Sequence, residues 1–302
     1  MTCYRHFFVG IVLTCVATGN CFAEADAIKV SLRSQIKDSS ESDVSHRQVV
    51  REEVWQAQQT AVIVCDMWDS HHCYRAVLRE NQMVPRMEAL LSSLRDRGVT
   101  VIHAPSSCMG AYADHPARKR VLDVPKVTPP DGINSWCHSI PAEESAKYPL
   151  DQSDGGEDDT PEEHAAWAEK LSAQGLNPKA PWKKQHAGLT IDGQRDFISD
   201  RGDEVWNILQ AGGLKNVILV GVHTNMCVLG RPFGLRQLAK NGVNVTLMRD
   251  LTDTMYNPKA WPYVSHIEGT ALIISHIERH VCPTLTSDQI LGGEPFAFTP
   301  IQ

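Results

Sequence analysis

One stretch constrains the fold more than any other: Val217-Ile218-Leu219-Val220-Gly221-Val222, an apolar run rich in β-branched residues, followed by the polar patch His223-Thr224-Asn225. An apolar run without alternation reads as a strand buried on both faces, as in a parallel sheet covered by helices on each side. A helix is then expected to begin near Cys227 and to run through Leu235 and Leu238 to a C-cap at Asn241-Gly242. A cysteine at such a strand–turn–helix junction faces helix N–H groups and a dipole that favours thiolate over thiol. The same position also suits a small buried core residue, the commoner fate of a free cysteine.

The rest of the pattern extends this reading. Ala61 to Cys65 is a second buried strand, ending at Asp66. Pro85 opens a helix whose apolar positions Val84, Met87, Leu90, Leu91 and Leu94 fit a 3.6 period, and Gly98 ends it. Val99 to Ile102 is a strand that delivers His103 at its end. A helix from about Asp203 to Gln210, a strand from Val243 to Met248 and a last α/β pair between Val264 and His280 follow. Alternating strands and helices imply an α/β fold: a doubly wound, mainly parallel sheet with helices on both faces, binding ligands at the strand ends.

Two segments depart from that order. Residues 24–57 are polar and charged without firm periodicity, and read as a poorly ordered N-terminal arm. This sets the domain at 58–302. Between about 106 and 181 the pattern dissolves into a proline-rich irregular insertion, with one helix from Pro161 to Leu171 capped by Thr160. A loop of this length is a functional cover or an insertion. Its acidic run, residues 151–159, fails the EF-hand spacing and reads as a solvated turn in preference to a calcium site.

The N-terminus carries Arg5, the apolar stretch Phe7 to Ala17, and small and polar residues through Ala23. That is the pattern of a secretory signal over residues 1–23, so an exported, periplasmic or secreted protein is expected. The stretch is too short for a membrane span. A formal net charge of -7 argues against a nucleic-acid partner. Six cysteines lie beyond the leader: Cys65, Cys73, Cys108, Cys137, Cys227 and Cys282. Cys108 and Cys137 bracket part of the irregular segment and are the pair expected to form a disulfide in an oxidising compartment.

The chemistry-bearing residues fall at strand ends or just beyond. A working thiol needs a base to take its proton and a cation to hold the anions together. Asp66 is placed to be the base, Lys184 the cation and Cys227 the nucleophile. Taken singly, each has an ordinary structural explanation: a helix-capping aspartate, a surface lysine, a core cysteine.

The run Val64-Cys65-Asp66, a later basic residue, and the string Gly221-Val222-His223-Thr224-Asn225-Met226-Cys227-Val228 resemble the isochorismatase-like cysteine hydrolases. That superfamily includes nicotinamidases, N-carbamoylsarcosine amidase and isochorismatase. The resemblance covers roughly residues 58–290 apart from the insertion. It implies a Cys227–Asp66–Lys184 triad, with Lys183 as the alternative cation. It also implies a non-proline cis bond at Val222-His223 that turns the His223 N–H toward an oxyanion beside the N–H of Cys227, with Thr224 bracing the turn. The implied reaction is attack on a small amide or carbamoyl carbon, loss of ammonia or an amine, and hydrolysis of a thioester. It needs no cofactor. The protein is expected to form a homo-oligomer, as the family often does.

Two departures from the family stand out. The Asp-x-His pair that holds a metal in nicotinamidases has no clean copy here, so no metal ligands are assigned. A different divalent metal site is nonetheless open to the histidines His71, His72, His103 and His223 with Asp69 and Cys73. The insertion also rebuilds the surroundings of the pocket, for which Trp68, His71, His103 and Thr224 are the candidates, with Tyr74 and Trp182 as further apolar wall. Competing functions are vinyl-ether hydrolysis led by an aspartate acid, as in isochorismatase, and a non-catalytic small-molecule-binding module.

Overall fold

The computed structural model describes residues 27–38 and 45–301, so the expected leader lies outside the described residues. The strands are β1 (Ala27–Lys37), β2 (His46–Gln56), β3 (Thr60–Cys65), β4 (Thr100–Ala104), β5 (Phe197–Ile198), β6 (Asn216–Val222), β7 (Asn244–Asp253) and β8 (Thr284–Leu285). They form one sheet in the order β2-β1-β8-β7-β6-β3-β4-β5. From β8 to β5 every pairing is parallel, while β1 pairs antiparallel with both β2 and β8. The helices are α1 (Tyr74–Asp96), α2 (Pro116–Asp123), α3 (Pro161–Ala173), α4 (Gly202–Ala211), α5 (Leu235–Lys240), α6 (His266–His280) and α7 (Asp288–Leu291).

The continuous apolar strands serve two cores at once. Ala61, Ile63 and Cys65 of β3, with Val217 and Leu219 of β6, pack against α4, α5 and α6. Val62 and Val64, with Ile218, Val220 and Val222, pack on the opposite face against α1 and α7. Side chains that alternate across a strand must all be apolar when both faces are covered. The doubly wound fold read from the sequence is therefore the fold observed. β3 has β4 on one side and β6 on the other, so the strand order reverses there. The carboxyl ends of β3 and β6 then flank the crevice where α/β sheets bind ligands.

Residues 27–37 and 46–56, read as a poorly ordered arm, are instead an edge hairpin paired over its full length from Ala27↔Gln56 to Lys37↔His46. Ile28, Val30 and Leu32 alternate with Lys29, Ser31 and Arg33, and the apolar three are no more than 1% exposed. β2 is mostly exposed and carries Arg47, Arg51, Glu52 and Glu53, charges that protect an edge strand from further pairing.

The first long helix also differs. α1 starts at Tyr74 and holds Pro85 in its interior. Its N-terminus is capped from the insertion, where Asp159 accepts from the N–H groups of Tyr74 (2.6 Å) and Arg75 (2.8 Å). Asp158 accepts both terminal nitrogens of Arg79 at 2.8 and 2.9 Å. These two acids of the run 151–159 fasten the insertion to the sheet domain rather than lying in a solvated turn. α3 begins where expected, with a capping box between Thr160 and Glu163. The expected disulfide is absent: Cys108 and Cys137 are free and buried. Cys137 is held against Gly230 through its N–H at 2.8 Å, and its thiol donates to the Ser139 carbonyl at 3.4 Å.

Candidate active site

Gly221 lets the two site-bearing strands approach. At φ 107° it stands so close to β3 that a Cβ would lie 2.1 Å from the Cys65 carbonyl oxygen. Beyond it the Val222-His223 peptide is cis, as the resemblance implied. The chain then makes a single π-helical turn, Thr224–Val228, whose Val228 N–H reaches the His223 carbonyl at 3.2 Å. Such turns recur at functional sites. Regular helix does not continue from Cys227 as expected. The chain breaks around Arg231-Pro232-Phe233-Gly234 and α5 starts only at Leu235, because Pro232 has no N–H to carry a helix through.

The turn is pinned from the side by β7 and the chain just after it. Thr224 Oγ1 bonds the Thr252 hydroxyl at 2.6 Å and the Asp253 carbonyl at 2.9 Å. Asn225 Nδ2 donates to the Met255 carbonyl at 2.7 Å, and its Oδ1 accepts from the Met255 N–H at 3.0 Å. Thr224 is fully buried and braces the turn, so it does not line an open pocket.

Asp66, 0% exposed, ends β3 with φ 48°, a left-handed conformation that aspartate tolerates better than most residues. One carboxyl oxygen accepts from the Ser106 N–H at 2.8 Å and the other from Arg231 Nε at 2.9 Å. The Cys227 thiol lies close enough to this carboxyl and to the His223 backbone for both to act on its protonation. Burial raises the Asp66 pKa, against the pull of Arg231 and of the bonds from Ser106 and Cys227. Burial, then the neighbouring Asp66 charge, holds the Cys227 thiol well above its usual range. The resting cysteine is thus a neutral thiol, contrary to the thiolate expected at a helix start.

The cation of the site is Arg231. Its guanidinium lies 5.3 Å from the Trp136 ring centre, and Trp136 in turn packs on Gly230, where a Cβ would meet the indole at 2.4 Å. Lys184 and Lys183 are exposed, and neither lies within ion-pair distance of Asp66. Their N–H groups bond Asp69 at 3.2 and 2.8 Å, and an isolated bridge pairs Trp68 with Gln185. That local strand alternation turns Gln185 inward and leaves Lys184 at the surface. The sequence reading missed Arg231; its signal was a lone charge in the apolar stretch after Cys227, spaced one helical turn from it.

Trp68, His71 and Trp182 do come together. Trp68 stacks on Trp182 with ring centres 4.6 Å apart, and His71 stands 4.8 Å from His223. Burial keeps both histidines neutral, His223 down to about 3. His103 is not part of this group: its ring nitrogens bond Gln185 Oε1 at 2.9 Å and Asp196 Oδ2 at 3.0 Å inside the domain. A cavity of about 490 Å³ borders the π-helical turn at Asn225 and Met226. Trp136, His138, Tyr148 and Met226 lie on its wall, and the largely buried Arg236–Glu143–His276 network lines it too.

Two groups of metal-capable donors occur among the described residues, Cys73 with Asp158 and Asp159, and Glu157 with Asp159 and His164. Neither includes Asp66, Cys227, His71 or His223. Asp158 and Asp159 already hold Arg79 and the start of α1. Among the described residues no helix is long and apolar enough to cross a membrane.

The chain is similar to a cysteine hydrolase from Pseudomonas syringae pv. phaseolicola, with 16% identity, TM-score 0.47 and coverage of 78% of this chain and 92% of that one. It is also similar to an isochorismatase family protein from Burkholderia thailandensis, with 14% identity, TM-score 0.43 and coverage of 77% and 94%. An isochorismatase-like hydrolase from Alkaliphilus metalliredigens has 13% identity, TM-score 0.43 and coverage of 78% and 97%. No family model and no curated protein matches the chain.

Proposed function

We propose that this protein is a cysteine hydrolase that cleaves the C–N bond of a small amide or carbamoyl compound through a thioester on Cys227. The observation that carries the reading is the buried carboxyl of Asp66, which accepts from Arg231 Nε at 2.9 Å and whose charge acts directly on the neighbouring Cys227 thiol. A buried carboxylate of raised pKa is a better base than an exposed one, and a thiol must lose its proton to attack.

In the proposed cycle Asp66 takes the Cys227 proton as sulfur bonds to the substrate carbonyl carbon. The oxyanion that forms is met by the His223 and Cys227 N–H groups, the role the resemblance implies for the cis turn. Asp66 returns the proton to the departing nitrogen, which leaves as ammonia or an amine. Water then attacks the thioester, giving its proton to Asp66, and the acid leaves as the thiol is restored. Arg231 keeps its charge throughout, so Asp66 can be ionised inside a buried site. The substrate is proposed to enter beside Trp136 and Met226, with Trp68 and Trp182 as apolar wall. We further propose that the protein is exported and acts without a cofactor.

The test is ammonia release from a panel of small amides and N-carbamoyl compounds by wild type and Cys227→Ala. Turnover that disappears in the variant, with an acyl adduct at Cys227 trapped by acid quench and mass spectrometry, supports the thioester route. Ammonia release that survives Cys227→Ala overturns it; hydrolysis of a vinyl ether, with no ammonia released, by both wild type and Cys227→Ala would instead favour the aspartate-led reading.

A further inference from the structure

On the side of the molecule where the hairpin meets the insertion, a groove of about 780 Å³ is lined by Lys37, His46, Lys147, His276, Arg279 and His280. They come from three separate parts of the chain: the β1–β2 hairpin, the segment 145–149 and α6. Among the described residues no aspartate or glutamate lines it, in a protein whose formal net charge is -7. Among the described residues Lys37, Lys147 and Arg279 have no carboxylate partner. Their positions are nevertheless fixed. Lys37 lies opposite His46 in the hairpin register. Arg279 Nε donates to Gln35 Oε1 at 2.8 Å, and Gln35 Nε2 is anchored at 2.8 Å on the buried Glu278. The Lys147 ammonium sits 4.2 Å from the Trp261 ring centre.

We propose that this groove is a binding site for a compact polyanion bearing phosphoryl or sulfate groups, separate from the Cys227 centre. Like charges brought together in a concave surface repel one another, and an anion placed among them is attracted by all of them. The repulsion acts on the groove itself: after burial, Arg279 and Lys37 depress His46, and His276 and His46 depress His280. Two acids beneath the groove are already held, Glu143 by Arg236 and His276 and Glu278 by Arg33 and Gln35. Arg279, with its Nε fixed, is left to present its two terminal nitrogens, the fork that suits a tetrahedral oxyanion.

The experiment is calorimetric titration of the full chain with sodium pyrophosphate at low ionic strength, against sodium chloride of equal ionic strength. Lys37→Gln, Arg279→Gln and the double variant alter exposed side chains, and Lys215→Gln, an exposed lysine before β6 that does not line the groove, is the control. Saturable one-to-one binding is expected, weakened about threefold or more by each single change and about tenfold by the double. Lys215→Gln should leave it unchanged. Sulfate that displaces pyrophosphate extends the class to sulfate esters, and sulfate that does not narrows it to phosphoryl groups. Heat no different from chloride, or an unchanged affinity in the double variant, overturns the site. Since no step uses Cys227, the outcome is independent of the hydrolase reading.

Discussion

Arg231 follows Cys227 by one helical turn, and its Nε–H reaches back to Asp66 Oδ2 at 2.9 Å. The proposed nucleophile and its cation are therefore delivered by one short segment, and the proposed base comes from the end of the neighbouring strand. The side chain of Asp66 is fully buried while that of Arg231 is 23% exposed, so the pair sits at the edge of solvent. This arrangement sets charge on Asp66 and Cys227 in opposition, and the predictions for Asp66 and Arg231 variants depend on it.

Asp66→Asn removes the charge that, after burial, holds the Cys227 thiol up. The thiol pKa should fall, helped by an Arg231 now freed to face the sulfur. Alkylation by iodoacetamide at fixed mildly alkaline pH is expected to quicken, followed at Cys227 by peptide mass spectrometry. Turnover should nevertheless drop by about 10²–10⁴, the contribution of a positioned base. An unchanged alkylation rate in this variant would show that Asp66 does not govern the thiol.

Arg231→Gln tests the opposite charge. Arg231 lowers the Asp66 pKa against burial, so without it Asp66 becomes ionised only at higher pH. The acid limb of the kcat/KM–pH profile should move upward. Arg231→Lys keeps the charge but not the planar fork, and should move the limb less. Lys184→Ala should leave kcat/KM within about twofold, the scale of an exposed charge far from the chemistry. A collapse of turnover in Lys184→Ala with a normal Arg231→Gln would restore the lysine as the cation.

The parts legible in the sequence were those written in one place. The β6 run, the polar turn and Cys227 are contiguous, and Asp66 directly follows the apolar run of residues 61–65, so the fold and two candidate site residues could be read directly. Arg231 was missed because proline and glycine interrupt the helix that was expected to carry the chain past Cys227. The start of α1 was missed because its cap, Asp159, comes from the insertion. Lys184 was preferred for its place in the order of the chain, whereas a single Trp68–Gln185 bridge decides which side of that segment faces inward. The hairpin was legible in principle: Ile28, Val30 and Leu32 alternate with polar residues, a short signal overlooked among charges.

That alternation has a measurable consequence. Leu32 is 1% exposed and packs in the core beneath β1. Leu32→Ala should cost about 2–5 kcal/mol, the usual range for a leucine truncated in a core. Val50 is 57% exposed on the paired strand, and Val50→Ala should change stability by no more than about 0.5 kcal/mol. Equal effects of the two in denaturant unfolding would mean that the hairpin is not docked on the sheet.

Glu80 of α1 gives the clearest pH signature. It is 5% exposed, and its Oε1 has no hydrogen-bond partner. Burial, then the charges of Asp69, Asp253 and Asp66, pushes its carboxyl well above the usual range. An acid whose pKa is raised by folding binds more protons when folded than when unfolded, so its cost grows as pH rises above the unfolded value. Below about pH 4 both states are protonated and Glu80→Gln should change little. From pH 5 to 8 the wild type must keep or take up a proton that the unfolded chain would release, and the glutamine need not. The gain in melting temperature on Glu80→Gln is therefore expected to increase steadily across that range. Asp253, whose carboxyl Arg79 and His266 hold low in spite of its burial, is ionised in both states from pH 5 upward and adds no slope. A gain that is flat with pH, or largest in acid, would show that Glu80 is ionised and paired in the folded protein.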